Sequence, residues 1–230
     1  MLHPGLAEHP FLPAHPKRRC RRRVQLLMAS LCAMLVLAAV TLWSIRGTPI
    51  VNLVTDSQIR SSGVYADWDK GEIILLVRHA ERCDRSNNPC LDEPSGITSA
   101  GSEAAAQVGA GISRLGLEHT DVLSSTSTRT QQTAHFMFGK LAPGEAWVEQ
   151  CNKGFAAHAL AHKKPDRNLV LVTHSGCIDQ LERQLGVPGG ERSSGYAEAL
   201  FVSVGSNGKP RILGKMSAPQ WRKLLATVDQ

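Results

Sequence analysis

Aromatic side chains are scarce in this chain: 4 Trp, 2 Tyr and 5 Phe among 230 residues. A protein that stacks single-stranded nucleic acid needs such platforms, and here there are few. No glycine-rich loop is placed to cradle phosphates, and no serine sits in a nucleophile-elbow sequence. The cysteine spacings fit no common zinc finger. Net charge is missing from most of the chain as well. The formal charge is +6, yet residues 1–46 hold seven Lys/Arg against one acidic residue, leaving nineteen of each sign in residues 47–230. A basic nucleic-acid surface is therefore not supported, and no nucleic-acid partner is expected.

The excess charge belongs to an N-terminal appendage. Lys17, Arg18, Arg19, Arg21, Arg22 and Arg23 directly precede "VQLLMASLCAMLVLAAVTLWSI", Val24 to Ile45, a run without charge. As a helix rising about 1.5 Å per residue it would cross a hydrocarbon core of about 30 Å. Trp43 falls where an interfacial aromatic is useful, and the positive-inside rule keeps the basic cluster in the cytoplasm and exports the chain beyond Arg46. The expected organisation is a basic cytoplasmic tail (1–23), a transmembrane signal anchor in the inner membrane (24–45), a polar connector (46–70) and one folded domain (71–230). A cleaved signal peptide is the main competitor, leaving a free periplasmic domain. A buried helix of a soluble protein is a third option. The first sixteen residues place His-Pro at 3, 9 and 15 and are expected to be a disordered tail without chemistry.

Cysteine usage fits export. Cys83, Cys90, Cys151 and Cys177 form an even set beyond the apolar run, as expected in an oxidising compartment. Cys83 with Cys90 and Cys151 with Cys177 is the natural pairing among three possible connectivities.

The folded part alternates strand and helix. "EIILLV" is an unbroken apolar run of the kind buried on both faces. Thr98 caps a helix that Gly116 ends, and "TDVLS" is a second strand. A helix over "RTQQTAHFMF" stops at Gly139, "EAWVEQ" reads as a short strand, and "FAAHALAHKK" as a helix. "NLVLVT" is another buried strand, "CIDQLERQLG" a helix, and "ALFVSVGSNGKPRILGKM" a terminal hairpin. This order predicts an α/β fold of three layers, a mainly parallel sheet covered by helices on both faces, behind one transmembrane helix.

In such sheets the site lies at the carboxyl ends of the strands. Arg78-His79, Arg129 and His174 each stand just past a predicted strand end, so three segments deliver cationic or imidazole groups to one rim. Two arginines and two histidines suit a dianionic oxygen ligand, because the guanidinium fork matches phosphoryl oxygens. A neutral imidazole can attack phosphorus in line, and the remaining groups stabilise the charge on the equatorial oxygens. This chemistry calls for no metal and no cofactor.

"LLVRHAE", "SSTSTRTQQT" and "LVTHSG" resemble, in the right order, the three motifs of the histidine phosphatase superfamily, with its phosphoglycerate-mutase-like fold. The extension "RHAERCDRSNNPCLDEPSGIT", with "QC" at 150–151 and "TH..C" at 174–177, is similar to the lipopolysaccharide core heptose(II)-phosphate phosphatases, exported proteins with an N-terminal apolar segment. The resemblance implies that His79 is the phosphorylated nucleophile and that Arg78, Arg129 and His174 complete the phosphate pocket. Arg82 and Arg85 would be added phosphate or sugar contacts, with Ser175 a further substrate contact. A Cys83–Cys90 bridge would hold their loop over the site. The implied partner is a phosphorylated sugar of lipopolysaccharide core.

Departures from the pattern are local. Ala80 replaces the commoner glycine, and Thr126, Ser127 and Thr130 stand where proline, leucine and alanine are usual. A sugar alkoxide needs a proton to leave, and Glu149 is the first candidate for that acid, followed by Asp84 and Glu81. Arg82 and Arg85 read equally as solvated loop charges. His158 and His162, four apart on a helix, fit a polar face better than a metal pair. Three functions remain: a phosphatase for lipopolysaccharide core sugar, a phosphatase for other small phosphomonoesters, and a catalytically weak module that binds phosphate.

Overall fold

The computed structural model describes residues 17–45, 49–205 and 208–228 of the chain. It divides into two units, residues 1–46 and 47–230. Within the first, α1 (Lys17–Ile45) is a single helix. Its stretch Arg22–Thr41 has a mean hydropathy of 2.2 and none of it is buried, so it is a helix long and apolar enough to cross a membrane. The helix begins at Lys17, the first residue of the basic cluster, so the cluster is part of it. The His-Pro tail and the side chains of Cys20 and Trp43 lie outside the described residues.

The second unit starts earlier than the expected boundary at residue 71. The stretch read as a polar connector holds α2 (Asp56–Ser62) and α3 (Val64–Asp69). Thr55 caps α2, accepting from the Gln58 amide while Gln58 reaches back to the Thr55 backbone. Gly63 then adopts φ 91°, ending α2 and starting α3 without a β-carbon clash. Leu53, Ile59, Val64 and Trp68 are buried in the core. The period of two short helices is too brief to register in a search for long amphipathic runs.

β1 (Ile73–Arg78), β2 (Thr120–Ser124), β3 (Asn168–Thr173), β4 (Ala199–Val204) and β5 (Pro210–Met216) form one sheet in the order β2-β3-β1-β4-β5. The first three are parallel, and β4 and β5 add an antiparallel edge. The sheet is therefore mixed, with its parallel part at the site. Side chains of β1 alternate between two cores. Ile73, Leu75 and Val77 join one with α4 (Ser99–Leu115) and α5 (Thr128–Phe138), whereas Ile74 and Leu76 join the other with α6 (Phe155–His162) and α7 (Ser175–Gln184). A strand buried on both faces reads as a continuous apolar run, as β1 and β3 do.

The predicted caps are in place: Thr98 Oγ1 accepts from the Gly101 amide, and Gly139 closes α5 at φ 68°. "EAWVEQ" is not a strand but a 3-10 turn, Ala146–Glu149. The hairpin forms as expected, although Ser206 and Asn207 of its turn lie outside the described residues. α8 (Ala218–Val228) closes the chain, and its Trp221 is core, 1% exposed. Gly111 of α4 is what admits it: a β-carbon there would stand 2.1 Å from the indole.

Candidate active site

Register brings the parallel strands to one rim. Arg78 pairs with Thr173 and Ser124 with Val172, so β1, β2 and β3 end together and His79, Ser125 and His174 come next, side by side. The His79 amide donates to Thr173 O at 2.9 Å, and the Ser125 amide to Val172 O at 3.0 Å. Arg129 comes from the first turn of α5, and His174 is the cap residue of α7. Both helices therefore aim their amide-rich ends at this rim, where anionic charge is favoured.

His79 is only 3% exposed. Its Nδ1 lies 2.8 Å from Ala80 O. A carbonyl only accepts, so Nδ1 carries the proton and Nε2 keeps its lone pair. Burial, reinforced by the charges near it, pushes the imidazole pKa down to about 3 despite the Ala80 hydrogen bond. The neutral ring is what an attack on phosphorus requires.

His174 lies 5.4 Å from His79, centroid to centroid, in an edge-on arrangement. Its Nδ1 is 3.4 Å from Arg129 Nη2. A guanidinium only donates, so Nε2 holds the proton and donates to Ser125 Oγ at 2.9 Å, with Ser127 Oγ at 3.2 Å. Ser125 in turn donates to Glu149 Oε2 at 2.8 Å, and Thr126 does so at 3.1 Å. Arg129, His174, Ser125 and Glu149 thus form one directed chain of hydrogen bonds. Burial, then the charge of Arg129, lowers the His174 pKa to about 4. The Ser125 hydrogen bond, ahead of that from Thr126, lowers the pKa of Glu149 and holds it ionised.

Arg78 and Arg129 are both partly buried, and desolvation pushes both pKa values down. The Nε atoms of both are buried without a hydrogen-bond partner, and among the described residues neither guanidinium forms a salt bridge. Buried cations left without a carboxylate call for an anion from outside. Thr133 ties the two motifs together, accepting from the Ala80 amide at 2.9 Å and donating to Arg129 O at 2.6 Å.

The loop residues divide. Arg82 grips Asp84 through Nε at 2.6 Å and through Nη2, and its charge is felt by both Arg129 and His174. Arg85 is exposed and reaches none of the four central side chains by a hydrogen bond or ion pair. Ser175 opens α7, is exposed, and makes no side-chain hydrogen bond among the described residues. Glu81 is a clamp for its own loop: its carboxylate accepts from Ser86, Asn88 and Thr98 at 3.0, 2.8 and 2.8 Å. Those bonds hold it ionised and commit its carboxylate to its own loop.

Cys83 pairs with Cys90, and Cys151 with Cys177. The first bridge closes the loop that carries Asp84 and Arg85, directly after Arg82. The second joins the turn bearing Glu149 to α7 three residues beyond His174. His162 lies against Trp147, with centroids 4.4 Å apart, and no third His, Cys, Asp or Glu joins it and His158 among the described residues. A cavity of about 410 Å³ at the β2 edge, lined by Val122, Phe138 and Leu141, contains none of the central residues. Convergent charge, not cavity size, marks the site.

Sequence reasoning missed Ser125, Ser127 and Tyr196. Both serines lay in the second motif, but nothing in it revealed which hydroxyl would face His174. Tyr196 sits outside every motif, and its ring lies 5.7 Å from that of His79.

No family model matches the chain. Curated relatives do. The chain is 31% identical over 161 residues to the lipopolysaccharide core heptose(II)-phosphate phosphatase of Escherichia coli O139:H28 (strain E24377A / ETEC), covering 69% of this chain and 76% of that protein. The counterpart from Escherichia coli (strain K12 / DH10B) matches to the same extent. Among solved structures, the protein histidine phosphatase SixA complexed with tungstate aligns with a TM-score of 0.51 at 18% identity, over 64% of this chain and 97% of that one. That likeness shows the fold. Its agreement with the sequence match and with the convergence of two arginines and two histidines at one rim makes the chain a phosphatase, a member of the lipopolysaccharide core heptose(II)-phosphate phosphatase family.

Proposed function

We propose that this phosphatase is exported and removes phosphate from a heptose of lipopolysaccharide core through a phosphohistidine on His79, without a metal. The observation that carries this reading is the buried, neutral His79, with Nε2 unprotonated, beside two guanidiniums that have no carboxylate partner among the described residues. The substrate assignment rests on the named activity of the curated relatives.

In the proposed reaction, Arg78 and Arg129 bind the phosphoryl oxygens, with the His174 ring, held by Arg129 and Ser125, lining the pocket beside them. His79 Nε2 attacks phosphorus as the bond to the sugar oxygen breaks, and the departing alkoxide takes a proton. Glu149 supplies that proton. It is ionised in the free site, and an arriving phosphate dianion raises its proton affinity. Water then attacks the phosphohistidine, gives its proton back to Glu149 and releases inorganic phosphate.

Residues 1–23 would remain in the cytoplasm, 24–45 would anchor the chain in the inner membrane, and the domain would stand in the periplasm. Three features support this: the basic cluster, the apolar helix and two disulfides, which belong in an oxidising compartment.

The test is the intact mass of lipopolysaccharide core after incubation with the oxidised full-length protein or with its His79→Ala variant. Loss of one phosphate with the wild type alone is expected. An unchanged core beside rapid cleavage of an aryl phosphate would reject the heptose substrate, and activity retained by His79→Ala would reject the nucleophile.

A further inference from the structure

The segment between α7 and β4, residues 186–198, belongs to none of the three motifs, yet it grips both residues at the end of β1. Arg78 Nη1 donates to Ser194 O at 2.5 Å, and the Arg78 amide donates to Glu198 O at 3.0 Å. The Ala197 amide donates to His79 O at 3.3 Å. Between these contacts stands Tyr196. Its ring lies under the Arg78 guanidinium, with Cζ 4.0 Å from the centroid, and its other neighbour is the imidazole of His79.

The turn that places this ring is costly. Ala197 has φ 53° and is 1% exposed, so a residue with a β-carbon is held, buried, in the left-handed region. Such backbone persists only where its surroundings over-determine it. Here Lys215 supplies that constraint. Its Nζ donates to Ser193 O at 2.9 Å and lies 3.4 Å from Glu198 Oε1, while Glu198 accepts from the Gly195 amide. The chain has only two tyrosines, and this one is set over a cation that forms no salt bridge among the described residues.

We propose that Tyr196 is a positioning residue for the phosphatase reaction: its ring fixes the plane of the Arg78 guanidinium, so that the free N–H edge is presented to the phosphoryl group before substrate arrives. A guanidinium lying on an aromatic face keeps its in-plane donors available. A carboxylate in the same place would occupy those donors and compete with substrate. The ring orients Arg78 without neutralising it. This inference rests on the proposed phosphatase mechanism, with Arg78 as a phosphate ligand.

The experiment compares Tyr196→Phe, Tyr196→Leu and Ala197→Gly in the oxidised full-length protein in detergent, each alone and the first two also on an Arg78→Lys background. Calorimetry with inorganic phosphate and turnover of an aryl phosphate are the main readouts, with melting temperature as the check on folding. Tyr196→Phe should stay within about twofold of wild type, and Tyr196→Leu should weaken phosphate binding about tenfold. On the Arg78→Lys background the Leu substitution should cost less than about twofold, because the partner it orients is gone. Ala197→Gly should melt no lower than wild type yet bind phosphate several-fold more weakly. Equal losses on both backgrounds, or full affinity in Tyr196→Leu, would overturn the proposal. If Tyr196→Leu does not fold, full affinity in a stable Ala197→Gly would do so. The Arg78 Nε–H exchange rate, measured by NMR, separates the two readings: if the wild type neither binds nor cleaves phosphate esters, the functional reading fails. Faster exchange in Tyr196→Leu would still support the hold of the ring on Arg78, and an unchanged rate would overturn it.

Discussion

The Nε2 of His174 lies 2.9 Å from Ser125 Oγ, and that contact joins two motifs into one hydrogen-bonded chain ending at Glu149. The chain has a direction. Arg129 can only donate, so His174 must pass its proton side to Ser125, and Ser125 must pass its own to Glu149. Ser125→Ala should therefore lower kcat by about tenfold to a hundredfold while leaving the melting temperature within a few degrees. It should also raise the pKa of Glu149, whose largest lowering influence is that hydroxyl. Steady-state kinetics with a carboxylate-resolved NMR titration would check both.

Glu149→Gln should depend on the leaving group. With a sugar phosphate the alkoxide needs a proton, and the loss should be on the order of a hundredfold or more. With an aryl phosphate the phenoxide leaves unaided, and the loss in the first step should be only a few-fold. Equal losses on both substrates, measured as single-turnover rates, would assign the proton to another group, with Asp84 next in line.

The Cys151–Cys177 bridge holds the Glu149 turn against the helix of His174. Its sequence separation is 26, against 7 for Cys83–Cys90. The chain-entropy model gives about 3.5 kcal/mol for the longer loop and about 2.5 kcal/mol for the shorter. Replacing both cysteines of the longer bridge by Ala should thus cost more stability, measured by urea unfolding. It should also reduce kcat, whereas loss of the shorter bridge should act mainly on KM through the Arg82 loop.

Glu182 on α7 is 1% exposed, and burial pushes its carboxyl up from 4.5 to about 7. Asp179 and Glu198 add to that rise, while Lys215 and Arg192 oppose it. The folded protein therefore keeps a proton between pH 4.5 and 7 that the unfolded chain has released. The resulting stability is complete below pH 4.5 and is lost as pH rises through 7. Glu182→Gln should gain on wild type across that window, by on the order of 2 to 3 kcal/mol at pH 8. A constant difference in unfolding free energy from pH 5 to pH 8 would contradict this.

His79 and His174 act with the opposite sign. Their folded pKa values, about 3 and about 4, lie below the ordinary 6.5. Stability from these neutral rings is full above pH 6.5 and is lost as pH falls through 4 and then 3. His174→Ala should flatten the acid side of the stability profile, and NMR should find both rings neutral at pH 5.5.

Much of this was legible in the sequence for a physical reason. A strand buried on both faces must be apolar throughout, so β1 and β3 announced themselves, and an arginine-histidine pair at the end of such a strand marked the rim. Arg78, His79, Arg129 and His174 emerge from that logic, and even cysteine count pointed to bridges. What the sequence lacked was a signal for short or irregular elements. α2 and α3 are too brief to show a period, so 46–70 read as a connector although Leu53 and Trp68 are core. "EAWVEQ" alternates like a strand but turns, because Val148 points into the core while Glu149 stays at the rim.

The sequence by itself determined which chemistry is available: imidazoles and guanidiniums at strand ends, with no metal-binding pattern beside them. Only the tertiary structure decided how those groups are arranged. Proton positions on His79 and His174 depend on Ala80 O, Arg129 and Ser125, contacts that span up to 49 residues of chain. The place of Tyr196 on Arg78 depends on a left-handed turn at an alanine, a conformation that local propensity disfavours and that only the surrounding contacts impose.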